Sequence, residues 1–61
     1  MYEKYEKLCA EQGKTSYQVA KETGIAQSTL SDWKNGRSKP KIDKIKILAN
    51  YFNVSIEELL E

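Results

Sequence analysis

The stretch SYQVAKETGIAQSTLSDWKNG, residues 16–36, decides how this 61-residue chain folds. It reads as a helix of about eight residues, a turn at Thr23-Gly24-Ile25, and a second short helix from Gln27 to Asn35. Just ahead of it, Thr15 stands three residues before Gln18, the spacing at which each side chain reaches the other's backbone N–H in a capping box. Val19, Ala20 and Thr23 recur at helical spacing on the inner side of the first helix. Gly24 ends that helix, because only glycine enters the left-handed conformation without steric cost. Ala20 is small where the second helix crosses close above it, and Ile25 plugs the turn. In the second helix, at about 100° per residue, Leu30 and Trp33 define the core side. Ser28, Ser31, Asp32 and Asn35 then face the opposite way, and Gln27 occupies the exposed N-terminal end.

The same periodicity extends outward in both directions. Upstream, Tyr5, Leu8, Cys9 and Gln12 form a helical stripe with Tyr2 one turn earlier, and Gly13 closes it. Downstream, Gly36 closes the central pair. Lys39-Pro40 separates it from a longer helix starting near Lys41 or Ile42, with Ile42, Ile45, Leu48, Ala49 and Phe52 on the buried stripe. A last short helix is announced by Ser55 and Glu58 as a second capping box, with Val54 and Leu59 at the staple positions. No alternating strand pattern, internal repeat or low-complexity segment interrupts this order. The sequence therefore predicts an all-α fold of five short helices in a single domain over residues 1–61.

Size and composition exclude most other functions. A 7.0 kDa chain holds one core and has no room for a cleft between two lobes. It is 39% hydrophobic and 31% charged, a globular rather than a disordered or membrane balance. No apolar run approaches the roughly 20 residues of a membrane span, and Met1 leads directly into charged sequence without a leader pattern. Histidine is absent, which removes the commonest proton-transfer group. Cys9 is the single cysteine, so there is no internal disulfide and no Cys/His set for a metal; on its stripe it reads as a small core residue. The expectation is a cytoplasmic, non-catalytic domain with no cofactor, metal or small-molecule ligand.

The net charge of +1 hides an uneven distribution. Residues 34–46 hold Lys34, Arg37, Lys39, Lys41, Lys44 and Lys46 against Asp43 alone, while the chain ends on Glu57, Glu58 and Glu61. A local basic cluster attracts phosphate even on a nearly neutral molecule. On charge alone, the block reads equally well as a solvated loop.

The helix, turn and helix of residues 16–36 make a helix-turn-helix. Val19, Ala20, Gly24, Ile25, Leu30 and Trp33, followed by Gly36, Pro40 and the closing LANYFNVSIEELL, resemble the phage repressor/Cro-like (XRE-type) DNA-binding family over essentially the whole chain. The resemblance implies a lambda-repressor-like domain that regulates transcription, most simply as a repressor, by placing its third helix in the major groove of double-stranded operator DNA. It carries base contact onto Ala26, Gln27, Ser28 and Asp32. Ala26 suits a thymine methyl, Gln27 pairs bidentately with adenine, Ser28 serves a donor or an acceptor, and Asp32 accepts from cytosine N4. A helix-surface or capping role for Asp32 is the alternative. Ser16, Asn35, Arg37 and Lys39 are the implied phosphate contacts, with Tyr17 and Lys21 as additions.

Three departures from the family pattern stand out. Ser16 replaces a frequent glutamine, Ala26 replaces a serine or threonine cap, and Cys9 and Lys34 stand where an arginine and a glutamate often pair. Losing that pair together leaves no buried charge alone. Family members usually bind as dimers over two half-sites, and Ile47, Tyr51, Ile56, Leu59 and Leu60 are candidates for a homodimer surface, some of them needed to close the core. A covering segment beyond Glu61 in a longer chain explains the same residues. The rival reading is an antitoxin-like or protein-interaction module that uses the helix-turn-helix as scaffold.

Overall fold

Local chain chemistry sets where each helix starts and stops. In the computed structural model, which describes residues 2–60, the order is α1 (Tyr2–Gln12), α2 (Ser16–Thr23), α3 (Gln27–Lys34), α4 (Ile42–Phe52) and α5 (Ile56–Leu60). No strand occurs among the described residues. α2 opens on the expected box: the Gln18 N–H donates to Thr15 Oγ1 at 3.1 Å and the Thr15 N–H to Gln18 Oε1 at 3.2 Å. α3 opens at Ala26 with no side-chain cap, as alanine dictates. At α5 only half of the box forms, the Glu58 N–H donating to Ser55 Oγ at 3.3 Å.

Helix ends close by left-handed turns. Gly24 ends α2 at φ +81°, and a Cβ there would meet nothing within 4 Å. Its backbone angle, not crowding, therefore calls for glycine. After α3, the Gly36 N–H donates to the Trp33 carbonyl at 3.2 Å and the Arg37 N–H to the Asp32 carbonyl at 2.8 Å, a Schellman turn. α4 closes the same way on Asn53, at φ 59°, with the Val54 N–H on the Ala49 carbonyl at 2.9 Å. Sequence reading missed that cap because it looked for glycine, whereas the short asparagine amide also tolerates this conformation.

The buried set is Tyr5, Cys9, Val19, Ile25, Leu30, Trp33, Ile45, Leu48, Ala49, Phe52 and Leu59, drawn from all five helices and the α2–α3 turn. Tyr5 sits at its centre, its ring 5.4 Å from that of Trp33 and 6.0 Å from that of Phe52. Tyr2 meets Trp33 edge-on at 5.4 Å. Burial pushes the Cys9 thiol above its ordinary range, which suits an inert core residue. Two stripe positions differ from expectation. Ile42 is 54% exposed, because it opens α4 a turn before Ile45, where burial begins. Gln12 is also exposed, but its Nε2 donates to the Phe52 carbonyl at 3.1 Å and ties the end of α1 to that of α4. No helix is long and apolar enough to cross a membrane.

A polar contact fixes α2 to α4 at the surface. The Tyr51 hydroxyl donates to Glu22, whose carboxylate also lies 3.6 Å from Lys14 Nζ. The Tyr51 hydrogen bond, reinforced by Lys14, holds the Glu22 carboxyl below its usual range. A carboxylate with a lowered folded-state pKa adds stability that is present above its unfolded value and is lost as pH falls through the folded one. The melting temperature of Glu22→Gln should therefore lie below that of the parent chain at pH 7. The gap should close on titration below about pH 4, and a gap constant with pH would show that the contact does not depend on this charge.

Candidate nucleic-acid interface

α3 has eight residues and two jobs. Leu30 and Trp33, 2% and 5% exposed, anchor it to the core. That anchoring turns Gln27, Ser28 and Ser31 to the surface, with Asp32 half-buried and Asn35 exposed just past the helix end. Ala26 is exposed as well, so of the four residues expected at bases three are exposed and Asp32 is half-buried. Arg37 and Lys39 are exposed beyond it, in the basic segment that also displays Lys34 and Lys41. Neutral amide, hydroxyl and methyl groups thus precede a run of cations. The first kind matches base edges and the second matches phosphates.

Three of the expected site side chains, Arg37, Asp32 and Ser16, have partners that the sequence did not announce. Arg37 Nη1 lies 3.4 Å from Asp32 Oδ1. A five-residue separation is not a helical pairing; the turn at Gly36 folds the chain back and brings the guanidinium over the acid. Asp32 is thus paired with Arg37 at the helix surface, the arrangement the alternative reading of Asp32 expects. Ser16, half-buried at the start of α2, has its Oγ 2.9 Å from the hydroxyl of the buried Tyr5. Burial pushes the Tyr5 phenol well above its ordinary range, so it stays protonated and needs a partner. A spacing of 11 residues across two helices leaves no local pattern by which this contact could be found.

The five residues considered for self-association separate into groups. Ile47 and Leu60 are exposed, at 38% and 45%. Ile56 is half-buried against the core. Tyr51 turns its hydroxyl to Glu22 and its ring edge-on to Phe52 at 5.0 Å. Leu59 is fully buried and drops out of the set, because α5 must insert one side chain to close the core against α1 and α4. Tyr17, 62% exposed beside Ser16, and Lys21, exposed on the same helix, remain accessible. Among the described residues no cluster of three His, Cys, Asp or Glu is placed to hold a metal.

A family model described as helix-turn-helix matches residues 5–59. The chain is also similar to the HTH-type transcriptional activator BcrR of Enterococcus faecalis, with 29% identity over 58 residues. The match covers 95% of this chain and 28% of that protein, so the chain spans little more than a quarter of its relative's length. No solved structure matches at a significant level.

Proposed function

We propose, since the chain belongs to the helix-turn-helix family of repressor/Cro-like DNA-binding domains, that it regulates transcription by sequence-specific binding of duplex DNA, with α3 in the major groove. The family is a binding one, and no chemistry is asked of the chain. One observation carries the reading: the polar flank of α3 is accessible and passes directly into exposed cations, while only Leu30 and Trp33 are given to the core. Ala26, Gln27, Ser28 and Asp32 read bases; Ser16, Asn35, Arg37 and Lys39 hold phosphates. Repression by occlusion is the simplest consequence of occupying an operator. The relative is named an activator, so the sign of regulation depends on where the operator lies relative to the promoter.

A single α3 reads too few base pairs for useful selectivity, so two copies bind adjacent half-sites about one helical turn apart. The exposed Ile47 and Leu60, with the rim of Ile56, are the apolar side chains offered to the second copy. Such a regulator works in the cytoplasm, where its operator is. The test is duplex binding across a salt series. Phosphate-driven association falls linearly in log–log form, by close to one power of salt per phosphate contacted. A flat response would instead favour a protein-interaction module built on the same helices. Selection from a random duplex pool then identifies the operator, and a palindromic winner supports the dimer.

A further inference from the structure

We infer that Asp32 and Arg37 act as a latch: the arginine is released to a backbone phosphate only when the base facing Asp32 offers an amino group in the major groove. The latch deepens the DNA-binding reading and rests on it. Asp32 is assigned to a base and Arg37 to a phosphate, yet the two side chains hold each other. Arg37 Nη1 lies 3.4 Å from Asp32 Oδ1, and neither side chain has another polar partner among the described residues. The major groove is roughly 8.5 Å deep, so a carboxylate at a base edge and a guanidinium at the phosphate rim stand too far apart to keep that contact. The two roles therefore become available together, when the pair opens, and are both withheld while it is shut.

The hinge of the latch is main chain. The Arg37 N–H donates to the Asp32 carbonyl at 2.8 Å, and Gly36, at φ +74°, turns the chain left-handed between them. Backbone bonds thus keep Arg37 beside Asp32, while its exposed side chain swings without any change of fold. Magnitudes decide which way it swings. A pair this exposed is worth at most about five-fold in an equilibrium constant. A hydrogen bond to a charged acceptor is worth more than about ten-fold, so cytosine N4 or adenine N6 displaces the arginine from the carboxylate. Guanine O6 or thymine O4 presents a lone pair instead, and the acid keeps its cation. Asp32 then rejects guanine and thymine by withholding a contact elsewhere on the duplex, which amplifies a difference at a single base. Removing Arg37 exposes the bare acid to every duplex, so Arg37→Ala still loses binding on all of them.

The test is Asp32→Asn, which keeps the shape of the side chain and leaves the backbone turn intact, on single-base variants of the selected duplex. The parent chain should prefer cytosine or adenine to guanine or thymine at one position of each half-site by about ten-fold. Asp32→Asn should bind the guanine and thymine duplexes about five-fold tighter and the preferred ones within about two-fold of the parent. Glu11→Gln removes a negative charge from an exposed position on α1 and should leave the preference unchanged. Single neutral methylphosphonate linkages supply the second readout. The linkage that is silent in Arg37→Ala should weaken the parent about five-fold on the preferred duplex and not on its guanine variant, yet weaken Asp32→Asn on both. If Asp32→Asn loses binding to the preferred duplex alone, or to all duplexes alike, the latch is wrong while the function stands. The same holds if the linkage matters equally for both bases. If the parent chain binds no duplex, both fall together.

Discussion

Replacing Trp33 by alanine should lower the stability of the domain by about 3–5 kcal/mol. The side chain is 5% exposed, and its ring contacts those of Tyr2 and Tyr5. Removing it opens a void beneath α3, at the point that sets the angle of that helix to the rest. Natural domains hold only about 5–15 kcal/mol in total, and one of this size belongs at the low end. Much of the Trp33→Ala population should therefore be unfolded near physiological temperature. Urea titration followed by far-ultraviolet circular dichroism gives the number, and Trp33→Phe should retain more than half of the difference. A fully folded Trp33→Ala chain that had lost only its DNA would show that Trp33 belongs to the interface instead.

The second large effect contrasts Gln27→Ala with Arg37→Ala. A bidentate amide–adenine pair discriminates by about 1–3 kcal/mol, so Gln27→Ala should flatten preference at one or two operator positions by roughly five- to 150-fold. Arg37→Ala should weaken all duplexes alike and lower the salt exponent by about one. The existing Arg37–Asp32 contact does not stand in the way. Its side chains are 72% and 40% exposed, and such pairs contribute about 0.2–1 kcal/mol, little enough to exchange for a phosphate. Binding curves on a panel of single-base operator variants separate the two outcomes. A reversed result, with Arg37 setting base preference and Gln27 setting overall strength, would exchange the two roles.

What sequence could supply here was whatever repeats within a turn or two of helix. The Thr15–Gln18 box, the stop at Gly24 and the Leu30/Trp33 anchor all rest on spacings of three or four residues, and each is where the pattern put it. Contacts decided by distant chain segments were not legible. Whether Leu59 fills the core or the surface depends on α1 and α4, not on the run of apolar residues around it. Ile42 fits the stripe of α4 but finds nothing to cover it. The Asp32–Arg37 and Tyr5–Ser16 pairs arise from a folded-back turn and an interhelical meeting, neither of which leaves a periodic trace.

The left-handed closures at Gly24 and Gly36, together with the aromatic wedge of Tyr2, Tyr5 and Trp33, leave α3 little freedom to adjust. A rigid reader transfers the burden of fit to its target. On the proposed reading the duplex must then twist or bend to fit it, and sequences that deform cheaply gain an advantage at base pairs no side chain touches.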